Sequence, residues 1–97
     1  MKTMQEIKMI LTRHKGEIFE RFKVKEMFVF GSYVKGENKK TSDIDILVEF
    51  AEPIGFFQFL ELEEFLEQKL RQKVDLVSRK ALKPRIGEHI LREMVAI

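Results

Sequence analysis

The segment 43–50, DIDILVEF, constrains the fold of this chain more than any other stretch. Its apolar residues recur at every second position, a period that suits a β-strand and not an α-helix. Read as a strand, it sets Asp43, Asp45, Leu47 and Glu49 on one face and Ile44, Ile46, Val48 and Phe50 on the other. The second face demands a packed layer. The first opens with two carboxylates pointing the same way.

Two more strands are expected. EMFVFG (26–31) is a continuous apolar run closed by glycine, the pattern of a strand buried on both faces. KVDLVS (73–78) is shorter, with Asp75 facing opposite to Val74 and Leu76. Residues 3–22 predict one helix with Thr3 as N-cap and an apolar stripe through Met4, Ile7, Ile10, Leu11, Ile18, Phe19 and Phe22. FFQFLELEEFLEQKLRQ (56–72) predicts an amphipathic helix with Phe56, Phe59, Leu60, Phe65, Leu66 and Leu70 inward. In the same helix ELEEFLE reads as the wet face, and Phe56, Phe57 and Phe59 read mostly as core. The last segment, 81–97, predicts a helix with Pro84 in its first turn and Ile86, Ile90, Leu91, Met94 and Val95 as its apolar face. The order helix, strand, strand, helix, strand, helix predicts an α/β (α+β) fold around a small sheet.

Ninety-seven residues bound one domain, 1–97, since two would each be too small for a core of their own. Eighteen basic against sixteen acidic residues leave a charge of +2, too near balance to argue for direct nucleic-acid binding. The absence of cysteine excludes disulfides and thiol chemistry, and His14 and His89 have no partners at zinc spacing. Charges interrupt the N-terminal segment, and no apolar run reaches membrane-spanning length. A soluble, cytoplasmic protein without membrane contact is expected.

Asp43 and Asp45, two residues apart on a strand, are close enough to share a cation. Two like charges about 4 Å apart repel by roughly 1 kcal/mol in water and about 4 kcal/mol at an effective dielectric near 20. Mg²⁺ reverses that sign, because it seeks carboxylate oxygens and keeps several waters. A D-x-D at a strand start is also what two solvated turn residues look like, so its neighbours decide. Gly31-Ser32 ends the preceding strand, and Ser32 can open a helical turn; glycine permits close approach to an oxyanion, and N–H groups at a helix start favour phosphate. Asp75 lies within an apolar strand, where an unpaired carboxylate is costly. Facing Asp43 and Asp45, it would complete a set able to hold two divalent ions for in-line phosphoryl or nucleotidyl displacement.

Gly31-Ser32, ten intervening residues and Asp43-x-Asp45 compose G-S-x10-D-x-D. With VDLVSRKALKP and the closing apolar segment, this resembles the minimal nucleotidyltransferase (MNT) branch of the DNA polymerase beta-type superfamily, from about Glu26 onward. The resemblance implies a mixed sheet flanked by helices, ATP as substrate and two Mg²⁺ ions. By position, Gly31 and Ser32 would bind the triphosphate and Asp43 and Asp45 both metals. Asp75 would complete the metal site and help deprotonate the attacking hydroxyl. Many relatives carry arginine directly after Gly-Ser; this chain has Tyr33 there and Lys35 two residues on. The resemblance further implies an antitoxin that transfers AMP from ATP to a tyrosine of a helical HEPN ribonuclease toxin. The shortness of the chain agrees, since it leaves no room for an acceptor-gripping domain.

Two other readings stand beside it: an antitoxin that neutralises by binding alone, and a transferase acting on RNA or a small molecule. Self-association stays open, as do the roles of Lys35, Lys39, Lys40, Arg79, Lys83 and Arg85.

Overall fold

The computed structural model describes residues 2–39, 41–81 and 93–97. In chain order these form α1 (Met4–Arg13), α2 (Lys15–Phe22), β1 (Val24–Phe30), α3 (Ser32–Lys35), β2 (Ile44–Phe50), α4 (Phe56–Leu70), β3 (Val74–Ser78), a 3-10 turn (Arg79–Ala81) and β4 (Val95–Ala96). The sheet order is β3-β2-β1-β4. β1 runs antiparallel to β2 and β4, and β2 runs parallel to β3, so the sheet is mixed, as expected.

Thr3 caps α1 as its sequence suggests. Its hydroxyl accepts the Glu6 N–H at 3.2 Å while the Glu6 carboxylate accepts the Thr3 N–H at 3.4 Å, a reciprocal capping box. The single helix expected over 3–22 is corrected to two. His14 leaves helical geometry at φ −100° and ψ 6°, and Gly16, two residues on, is a poor helix residue, about 1 kcal/mol worse than alanine. Both halves still turn their stripes inward, through Ile7 and Leu11 in α1 and Ile18 and Phe22 in α2.

One face of the sheet carries the core. Met27 and Val29 of β1, Ile44, Ile46 and Val48 of β2, and Val74 and Leu76 of β3 pack with those four residues and with Leu62, Phe65, Leu66 and Leu70 of α4. On the opposite face Phe28 and Leu47, partners across β1 and β2, are buried outside that cluster. The face that begins with acids therefore turns apolar at its middle.

Two expectations for α4 fail together. Phe56 and Leu60 do not point inward, and Phe56 and Phe57 are 69% and 79% exposed. The stripe that meets the sheet runs through Leu62, Phe65, Leu66 and Leu70, and at 100° per residue Phe56 and Leu60 fall off its axis. The exposed Phe56 ring lines a groove of about 560 Å³ together with Phe50, Pro53, Ile54, Phe59 and Arg79.

Val95 and Ala96 are extended, pairing with Val29 and Phe28, and the Ile97 N–H donates to the Met27 carbonyl at 3.0 Å. This corrects the end of the helix expected over 81–97. The outer edge of β1 offers unpaired backbone groups, and a tail with β-branched Val95 and Ile97 suits them better than a helical turn does. The expectations for Lys40, Lys83, Pro84, Arg85, Ile86, His89, Ile90 and Leu91 lie outside the described residues. No helix among the described residues is long and apolar enough to cross a membrane.

Candidate active site

The acids gather at the end of the sheet where β1 finishes and β2 and β3 begin. Asp43 is exposed one residue before β2, and Asp45 is half-buried as its second residue. Asp75 is the second residue of β3. The register pairs Ile44 with Val74 and Asp45 with Asp75, and the Ile44 N–H donates to the Lys73 carbonyl at 2.9 Å. Residues paired across adjacent strands share a face, with backbones about 4.8 Å apart. A slip of one residue would turn Asp75 into the core. Asp75 itself is exposed and looks away from Val74 and Leu76, as its alternation indicates.

Asp45 bears the strain of this arrangement. Partial burial, then the charge of Asp75, then that of Asp43 push its carboxyl from 3.8 up to about 6. The three side chains thus feel one another at the same place. They are not drawn onto one point: among the described residues no three acidic or histidine side chains form a set that could hold a metal ion as they stand. Their chemistry fits Mg²⁺ nonetheless, being carboxylate oxygens around a half-buried anion that no basic side chain among the described residues pairs with.

Gly31 forms the wall beside Asp45. Its φ of 78° and ψ of −148° suit glycine alone, and a Cβ there would collide with the Asp45 Oδ2 atom. Phe30, the last residue of β1, is the register partner of Asp45. The chain then turns into α3 at Ser32, and the first N–H groups of that turn have no acceptor within it. Gly31, Ser32, Asp43, Asp45 and Asp75 thus lie at one end of the sheet.

Four features escape a reading of local pattern. Tyr33 is buried and its hydroxyl donates to the Ser42 carbonyl at 3.4 Å. Gln72 Nε2 donates to the same carbonyl at 2.8 Å and to the Tyr33 hydroxyl. Glu67, expected on a wet helix face, accepts the Val74 N–H at 3.0 Å. Its neighbour Glu63 is held above the usual carboxylate range by burial, then Glu67, then Asp75, with the Leu76 N–H opposing. These α4 carboxylates cover part of the outer edge of β3. The signal that could have found them is their i, i+4 spacing opposite an edge strand.

Two cations left open by sequence now have partners. Lys35 Nζ meets Glu93 at 3.0 Å, and that contact raises the lysine above its ordinary value. Arg79 Nη1 bridges Glu49 at 2.9 Å and Glu26 at 3.9 Å. Glu49 lies four residues beyond Asp45, roughly 13 Å along the strand. Arg79 is therefore committed away from the acids.

Comparison with known proteins agrees with this geometry. The nucleotidyltransferase domain family matches residues 11–97. The protein adenylyltransferase MntA of Thermococcus cleftensis is 53% identical over 97 residues, spanning 100% of this chain and 98% of that protein. A solved structure assigned to the minimal nucleotidyltransferases superposes with a TM-score of 0.78 at 32% identity, over 94% of this chain and 95% of the other. The fold also recurs, with a TM-score of 0.67 at 21% identity over 93% of this chain and 70% of the other, in a complex from Shewanella oneidensis of a tri-AMPylated HEPN toxin with its MNT antitoxin. By family match, by full-length identity and by fold, the chain belongs to the nucleotidyltransferase domain family, among the minimal nucleotidyltransferases.

Proposed function

We propose that this enzyme transfers AMP from ATP to a tyrosine hydroxyl of a HEPN-type ribonuclease toxin and so acts as the toxin's antitoxin. The observation that carries the chemistry is the side-by-side placement of Asp45 and Asp75 on parallel strands, against the Gly31 turn and beside Asp43. Identity of 53% with a protein adenylyltransferase along its whole length supports a protein acceptor. The AMP-bearing toxin bound to a protein of the same fold supports the partner class.

In this reading Gly31 and Ser32 cradle the triphosphate, with glycine permitting close approach of backbone to phosphate. Asp43 and Asp45 would hold two Mg²⁺ ions, and Asp75 would complete the set. Bound Mg²⁺ supplies charge neutralisation for the attacking and leaving oxygens of an in-line displacement. The tyrosine oxygen forms a bond to the α-phosphorus as the bond from that phosphorus to the bridging oxygen breaks. Pyrophosphate leaves, and the Asp75 carboxylate takes the phenolic proton. The face toward the acceptor is open, because Asp43 and Asp75 are both exposed.

Incubation with ATP, Mg²⁺ and the co-encoded partner, followed by intact-mass measurement, tests this directly. The partner should gain AMP on tyrosine. Tight binding with no added mass, together with protection that survives Asp43→Asn with Asp45→Asn, would point to masking. Labelled nucleotide on RNA or a small molecule would point to another acceptor.

A further inference from the structure

We infer that Tyr33 and Gln72 are positioning residues that aim Asp43 at the divalent cation, by clamping the Ser42 carbonyl. The inference rests on the metal-dependent reading above and adds residues that it does not include.

Three separate segments bear the groups of the candidate site. The turn after β1 holds Gly31 and Ser32, the start of β2 holds Asp43 and Asp45, and the start of β3 holds Asp75. One backbone oxygen ties all three together. Tyr33, from the first segment, donates its hydroxyl to the Ser42 carbonyl at 3.4 Å. Gln72, three residues before Asp75, donates its side-chain amide to that carbonyl at 2.8 Å and to the Tyr33 hydroxyl. A carbonyl oxygen has two lone pairs, so two donors saturate it.

The rest of Ser42 is held as well. Its N–H donates to the Lys39 carbonyl at 3.0 Å, and its hydroxyl accepts the Lys39 N–H at 2.7 Å. The Ser42 carbonyl and the Asp43 N–H belong to one rigid peptide plane. Fixing the oxygen fixes the plane, and the plane restricts the direction of the Asp43 side chain. Asp43 is otherwise exposed and lies outside the strand ladder, which begins at Ile44. Asp45 needs no such device, since the ladder and Gly31 already hold it. Tyr33 is only 2% exposed, so its ring anchors the clamp in the core while its hydroxyl reaches the loop.

The test uses the full chain and Mn²⁺ as a spectroscopic probe, with affinity read by electron paramagnetic resonance and melting temperature followed in parallel. Tyr33→Phe keeps the ring and removes the donor; Gln72→Met keeps the length and removes the amide. Each should weaken Mn²⁺ binding by the folded protein by about fivefold, while the lost hydrogen bond also lowers the melting temperature by several degrees. In an Asp43→Asn background Tyr33→Phe should have no further effect, because the aimed carboxylate is gone. A merely structural role would lower the melting temperature and leave Mn²⁺ affinity of the folded fraction intact, and that result overturns the inference. Should the wild type add AMP to its partner while both variants bind Mn²⁺ normally, the function stands and the clamp falls. Should the variants lose Mn²⁺ affinity while no protein acceptor is modified, the clamp stands and the assigned acceptor falls. A wild type that takes up no Mn²⁺ removes both.

Discussion

Asp45 and Asp75 face the same side of the sheet as register partners in adjacent parallel strands, and the first is pushed up to about 6 partly by the second. That pairing is unfavourable while no cation lies beside the carboxylates, and the proposed metal site would give it a purpose. It determines how the molecule should respond to pH, to substitution and to Mg²⁺.

Asp45→Asn should stabilise the metal-free protein at neutral pH. The folded carboxyl titrates about 6 against an ordinary 3.8, so the folded state binds the proton more tightly. Its destabilisation is therefore full above about pH 6 and fades as the pH falls toward the unfolded value. Allowing for solvent screening of a half-exposed group, the gain should be on the order of 1 kcal/mol at pH 7.5 and near zero at pH 4. Urea unfolding of both proteins in EDTA at the two pH values checks the sign.

Gly31→Ala should cost about 1–3 kcal/mol of stability, from a backbone region closed to other residues. It should also abolish AMP transfer, because the new methyl group takes the space of Asp45 Oδ2. Denaturant unfolding and a transfer assay on the folded fraction separate the two effects. Retained activity in a folded variant would show that the turn has no part in the chemistry.

Arg79→Ala should leave the KM for MgATP within about twofold and cost less than about 1 kcal/mol, the scale of an exposed ion pair. Its guanidinium serves Glu49 and Glu26, at the other end of the site-bearing face. A large rise in KM would mean that it swings toward the nucleotide.

The local parts of this site are legible in the sequence because they rest on short-range rules. A period of two places Asp43 and Asp45 together and turns Asp75 away from Val74 and Leu76. A glycine ending an apolar run marks the turn at Gly31. What binds these pieces to one another is non-local. Nothing near Tyr33 announces Gln72, 39 positions later, and no periodicity states that Asp45 pairs with Asp75. Glu67 reads as solvated because helical spacing is blind to the edge strand beside it.

The remaining misreadings come from apolar residues whose pattern suits more than one outcome. Met94 and Val95 extend a helical stripe on paper, yet residues 95–96 are claimed by the open edge of β1. Phe56 and Leu60 are as apolar as Leu62 and Leu66, and only the angle at which α4 meets the sheet separates the two pairs. His14 interrupts a helix whose stripe continues in phase on either side.

Calorimetric titration of ATP into the wild-type chain and into Asp45→Asn, each with Mg²⁺ and then with EDTA, bears most directly on the paired carboxylates as a cation-dependent nucleotide site. Heat of binding should appear for the wild type with Mg²⁺ alone, vanish in EDTA and be lost in the variant. Equal uptake of ATP by both proteins, or uptake that persists without a divalent ion, would contradict the account.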